Sequence, residues 1–79
     1  NQMASVYVSW TGGIDGSVYI DVASETVGPF NSNSYYTVTL PDADGTYPVR
    51  PWCGSIESSN QVSVSGGYAS PDRINCDLG

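Results

Sequence analysis

Ser5-Val6-Tyr7-Val8-Ser9-Trp10 and Ser17-Val18-Tyr19-Ile20-Asp21-Val22-Ala23 are the two runs that decide how this chain folds. In both, apolar residues recur at every second position, the period at which an extended strand returns its side chains to one face. Val6, Val8 and Trp10 share one side of the first run; Val18, Ile20 and Val22 share one side of the second. Between them, Thr11–Gly16 holds three glycines and ends in Asp15-Gly16, the chemistry of a tight hairpin turn. The same alternation returns at Tyr35–Leu40, where Tyr36, Val38 and Leu40 face one way. It returns again at Gln61–Ser65, with Val62 and Val64 inward, and at Arg73–Leu78, with Ile74, Cys76 and Leu78 inward. No window of about 11 residues or more carries a helical face.

Tyr47–Cys53 alternates as well, through Tyr47, Val49 and Cys53, but Pro48 and Pro51 lack the amide proton a ladder needs. That predicts a sheet edge or an irregular extended path for the segment. Gly28-Pro29 and the polar run Asn31–Ser34 read as a loop, and Pro41-Asp42-Ala43-Asp44-Gly45 as a turn. Six short strands joined by Gly, Pro, Asn and Asp turns predict an all-β domain over residues 1–79, a small antiparallel sandwich or a Greek-key barrel. A chain of 79 residues has a narrow stability margin. Cys53 and Cys76 both take the inward parity, and a disulfide between them, closing a loop of about 24 residues, would stabilise by roughly 3.4 kcal/mol. That pairing predicts an oxidising compartment, hence a secreted or extracellular protein. A start at Asn1 without a leader agrees with a processed chain.

Ser5 to Trp52 resembles the fibronectin type III and immunoglobulin-like sandwiches. Val6–Trp10 looks like that family's second strand with its buried Trp, and Val18-Tyr19-Ile20-Asp21-Val22 like the third. Tyr36–Leu40 followed by Gly45-Thr46-Tyr47-Pro48-Val49 is similar to the strand, corner and strand that carry a structural Tyr. The resemblance implies that Trp10, Leu40 and Tyr47 are core residues. No counterpart of the family's first strand precedes Ser5, and two prolines stand where a central strand runs. A Greek-key domain of the crystallin type is the other architecture with some support in the sequence. Neither resemblance carries a function.

Composition narrows the functional classes. Eight acids stand against Arg50 and Arg73, with no lysine and no histidine, for a net charge of −6. That balance repels nucleic-acid phosphates and anionic membrane surfaces, and no apolar run approaches the roughly 20 residues of a spanning helix. Without His there is no Ser-His-Asp or Cys-His machinery and no imidazole for zinc, so a non-enzymatic protein without a cofactor is expected. Asp42-Ala43-Asp44 has the spacing of calcium ligands, but no Glu follows at loop distance and turn chemistry accounts for it. Acidification would relieve carboxylate repulsion, which predicts a gain in stability at low pH.

Tyr7, Tyr19 and Tyr35 fall on the outward parity of the first three predicted strands. Were those strands neighbours, the rings would form one aromatic patch. Arg50 and Trp52, on the stiff Pro48–Trp52 segment, add the two side-chain types favoured at binding hot spots. The expected function is a small secreted effector, toxin-like or inhibitor protein that binds an extracellular or host macromolecule through Tyr7, Tyr19, Tyr35, Arg50 and Trp52. The alternatives are a carbohydrate-binding module that stacks sugars on the same aromatics, and a structural cell-surface module. A monomer or weak homodimer is expected with a protein or glycan as partner.

Overall fold

The computed structural model describes residues 4–79; residues 1–3 lie outside the described part of the expected domain. It is all-β, with nine strands in two sheets among the described residues. These are β1 (Ala4–Gly12), β2 (Val18–Val22), β3 (Glu25–Phe30), β4 (Tyr35–Leu40), β5 (Gly45–Cys53), β6 (Ile56–Glu57), β7 (Asn60–Ser65), β8 (Tyr68–Ser70) and β9 (Arg73–Leu78). A small sheet has the order β4-β1-β9, and a large one the order β3-β2-β5-β7-β8, with β6 attached to β5.

The alternating positions form the core. Val6, Val8, Trp10, Val38, Leu40, Ile74, Cys76 and Leu78 enter it from the small sheet. Val18, Ile20, Val22, Val49, Cys53, Val62 and Val64 enter it from the large one. Burying each aliphatic side chain contributes about 1.5–3 kcal/mol, which is why this parity wins over the reverse. The Trp10 indole N–H donates to the Asn31 carbonyl at 2.8 Å, so the ring is buried without an orphaned donor. Leu40 is fully buried. Tyr47 is half-buried, and its hydroxyl donates to the Ala43 carbonyl at 2.9 Å, pinning the corner between β4 and β5. Tyr36 keeps the inward parity of β4 but is 40% exposed at the open side of the sandwich, where it packs on Phe30 at 4.8 Å between ring centroids.

Four expectations are corrected. The strand count rises from six to nine, because β3, β6 and β8 are short or carry turn residues; β3 runs through Gly28-Pro29. Gly28 is needed there. With φ at +133°, a Cβ would come within 2.9 Å of both the Val18 carbonyl oxygen and the Tyr19 ring. Second, the pairing is mixed: β1 and β9 run parallel, with Tyr7 opposite Arg73, Ser9 opposite Asn75 and Thr11 opposite Asp77. β9, from the end of the chain, thereby takes the edge beside β1 that no earlier strand supplies.

Third, β5 is central rather than an edge, paired with β2 on one side and with β6 and β7 on the other. Both prolines sit where a ladder has a gap. The Pro48 carbonyl accepts from Ala23 N–H, just past the end of β2, and the Pro51 carbonyl accepts from Ser58 N–H, between β6 and β7. In an antiparallel ladder a residue's N–H and C=O address the same neighbour, so each missing donor falls where no strand residue is waiting.

Fourth, Cys53 and Cys76 are free buried thiols rather than a disulfide. Parity put both in the core, but they enter from different sheets. They also stand beside different neighbours: Cys53 lines a cavity with Leu78 and Gly79, whereas Cys76 has the Asn60 amide at 3.9 Å. A disulfide needs both matched position and a short span between the two backbones, and a shared inward parity guarantees neither.

Candidate binding faces

Alternation sends Tyr7, Tyr19, Tyr35, Arg50 and Trp52 out of the core, and the topology then separates them. β1 and β4 belong to the small sheet, β2 and β5 to the large one. Tyr7 and Tyr35 therefore lie on one outer face, and Tyr19, Arg50 and Trp52 on the other. The single patch expected from three adjacent strands is two faces, set back to back across the core.

On the small sheet, residues of three strands align in rows. Thr37, Tyr7 and Arg73 form one row; Tyr35, Ser9 and Asn75 form the next; Thr11 and Asp77 follow. Tyr7 and Tyr35 stack diagonally with ring centroids 5.5 Å apart and planes 27° apart. The Arg73 guanidinium lies over the Tyr7 ring at 5.1 Å, a cation–π contact. Tyr7, flanked by both neighbours, is half-buried, while Tyr35 remains 60% exposed. Beside the pair runs an open groove of about 640 Å³, lined by Tyr7, Tyr35, Ser9, Asn33, Asn75 and Asp77 among others. The Ser9 hydroxyl is hydrogen-bonded to Asn75 Oδ1, which orients the amide. Asn33 Oδ1 accepts from Gly12 N–H at 2.8 Å, and Asp77 Oδ1 accepts from Gly79 N–H at 3.0 Å. Asn75, Asn33 and Asp77 are thus each held through one oxygen and keep further polar capacity for something else.

On the large sheet, Tyr19 stands opposite Trp52 and Asp21 opposite Arg50. Tyr19 and Trp52 stack at 4.9 Å and 23°. The Trp52 indole N–H donates to Asp21 Oδ1 at 3.1 Å, and the Thr26 hydroxyl donates to the same oxygen at 2.7 Å. The carboxylate thus fixes the ring plane, and Arg50 stays exposed beside it.

Sequence reasoning missed Arg73, Asn33, Asn75 and Asp77. The outward parity of Arg73–Leu78 was a usable signal for Arg73, Asn75 and Asp77, but nothing in the sequence places β9 against β1. At the other turn, Asp44 Oδ1 accepts from Gly66 N–H at 3.1 Å, which ties β5 to the β7–β8 corner. Among the described residues, no group of three or more His, Cys, Asp or Glu side chains converges as a metal site would require. The Ser32 hydroxyl and backbone N–H both donate to Asp15 Oδ1, at 2.7 and 2.9 Å, and hold its carboxyl below the usual value of 3.8. Comparison with known protein families, with curated proteins and with solved structures returns no match.

Proposed function

We propose that the protein is a small, non-enzymatic, extracellular binding protein that recognises a macromolecule through its outer aromatic faces. One observation carries this reading: Tyr35, stacked on Tyr7 at 5.5 Å, stays 60% exposed at the wall of an open groove. A rigid ring held by a neighbour buries much area on contact at little cost in conformational entropy. The stacked Tyr19–Trp52 pair, braced by Asp21, gives the opposite face the same character. Such rings stabilise the sheet through cross-strand pairing too, yet that role alone leaves the exposure of Tyr35 unused. With the cysteines unpaired, the extracellular assignment rests on a surface poor in charge and rich in hydroxyls and exposed rings. The test is retention of extracellular polymer and protein fractions on the immobilised chain. A Tyr7→Ala/Tyr35→Ala variant and a Tyr19→Ala/Trp52→Ala variant are compared with the parent, each shown folded by circular dichroism. Loss of retention in at least one folded variant is expected. Equal retention by the parent and both variants refutes the proposal.

A further inference from the structure

The groove on the small sheet has a lining that selects a ligand class. Its exposed apolar surface comes from the tyrosine pair, with the largely buried Trp10 and Cys76 at its floor, and its polar rim is hydroxyl, amide and carboxylate: Ser9, Thr11, Asn33, Ser34, Asn75 and Asp77. Among the described residues no cation lines it; Arg73, on the same face, is engaged over Tyr7. We propose that this groove is a subsite for a neutral sugar unit of a glycan, with Tyr35 as the stacking platform and Asn75 and Asp77 as the hydroxyl-reading groups. The inference rests on the binding reading above and names the ligand of one of its two faces.

A pyranose ring has one face of C–H bonds and a rim of hydroxyls that donate and accept. It needs an exposed aromatic plane flanked by groups able to bond several hydroxyls at once. Tyr35 supplies the plane, with Tyr7 behind it as a rigid support. The rows supply the rest. Asn75 shares a row with Tyr35, and Asp77 lies one row further along β9. Neighbouring strands stand about 4.8 Å apart, so Asn75 on β9 lies about 9.6 Å from Tyr35 on β4 at the backbone, and the Tyr35 ring, stacked on Tyr7 of the intervening β1, brings the platform within the reach of one sugar ring and its hydroxyls. Ser9 holds Asn75 Oδ1 and so leaves Nδ2, without a partner among the described residues, as a donor. Asp77 uses Oδ1 for Gly79 N–H and retains Oδ2 as an acceptor for a hydroxyl. The carboxylate and the net charge of −6 disfavour an acidic sugar. A protein partner fits less well, because protein hot spots favour desolvated, well-packed pockets whereas this groove is open and rimmed by hydroxyl, amide and carboxylate groups.

The test is a titration of the isotopically labelled chain with neutral oligosaccharides of several linkages, with an oligouronide as the acidic comparison, read by amide chemical shifts. Shifts centred on Tyr35 and on Tyr7, Ser9, Thr11, Asn33, Ser34, Asn75 and Asp77 are expected. Tyr35→Ala weakens binding roughly tenfold or more, as loss of a hot-spot ring does. Tyr35→Phe retains it, because stacking needs the ring and not the hydroxyl, and Asn75→Ala weakens it. Tyr68→Ala, which removes a ring 73% exposed on β8, leaves binding unchanged. Absence of shifts with every oligosaccharide, shifts centred on Tyr19 and Trp52, or stronger binding of the oligouronide each overturns the inference. The two readings separate cleanly. If no oligosaccharide binds yet the Tyr7→Ala/Tyr35→Ala variant still loses retained protein, the sugar subsite falls and the binding reading stands.

Discussion

Trp52→Phe removes one proton donor and keeps an aromatic ring in place, so it isolates the contact that orders the large-sheet face. In the parent, the indole N–H donates to Asp21 at 3.1 Å while the ring stacks on Tyr19 at 4.9 Å. A hydrogen bond to a charged group contributes about 1.5–3 kcal/mol. Asp21 is half-buried and keeps the Thr26 hydroxyl at 2.7 Å, which places this bond at the low end of that range. A loss of about 1.5 kcal/mol lowers Tm by roughly 6–12 °C in a domain of this size. The single variant also trims the larger indole ring, so the assay is a double-mutant cycle of Trp52→Phe with Asp21→Ala. Unfolding in urea is followed by far-ultraviolet circular dichroism and by Trp10, which remains as a buried reporter. A coupling energy of about 1–1.5 kcal/mol is expected, and a parallel cycle of Thr26→Val with Asp21→Ala gives a smaller one, about 0.5–1 kcal/mol. Coupling of Trp52 to Asp21 below about 0.3 kcal/mol refutes the reasoning, since additive losses mean that the carboxylate does not brace the ring.

Two further outcomes concern charge and thiols. Asp15 is held below its ordinary pKa by Ser32, so the fold favours its ionised form; the stabilisation is present above the unfolded value and is lost as pH falls through the folded one. The stability difference between parent and Ser32→Ala is therefore expected at neutral pH and to vanish in strong acid, and a difference that grows on acidification contradicts it. This is the reverse of the acid stabilisation that the carboxylate count suggests. Cys53 and Cys76 are free and buried, so a thiol reagent is expected to label neither in the native protein and both after unfolding without reductant. A mass two hydrogens lighter, with no labelling after unfolding, refutes this.

The fold was legible wherever the alternation was unbroken. Val6, Val8 and Trp10, then Val18, Ile20 and Val22, lie inward as their spacing predicts, because a slip of one residue would exchange the whole buried set for the exposed one. β3 escaped notice because Gly28-Pro29 reads as a break, yet an edge strand tolerates both residues once Tyr19 packs over the glycine. β5 was misplaced for a related reason. The cost of a proline depends on what faces its nitrogen, and that is a property of the neighbouring strand's end rather than of the segment itself. Tyr36 shows the same limit: its parity is inward, but how far it is covered depends on the reach of β3.

By itself the sequence determined which side of each strand is wet, and with it the outward placement of Tyr7, Tyr19 and Tyr35, since period-two geometry is local. Which sheet each strand joins is not local. Pairing β1 with β4 and β9, and β2 with β3 and β5, depends on crossings between distant segments, and only those pairings divide the aromatics into two faces. They also bring Asn75 and Asp77 alongside Ser9 and Thr11, and set Cys53 beside Leu78 and Gly79 while Cys76 faces Asn60. Parity told each side chain in from out; only the tertiary pairing chose its neighbours, because neighbours across a sheet come from hydrogen-bonded ladders between residues far apart in the chain.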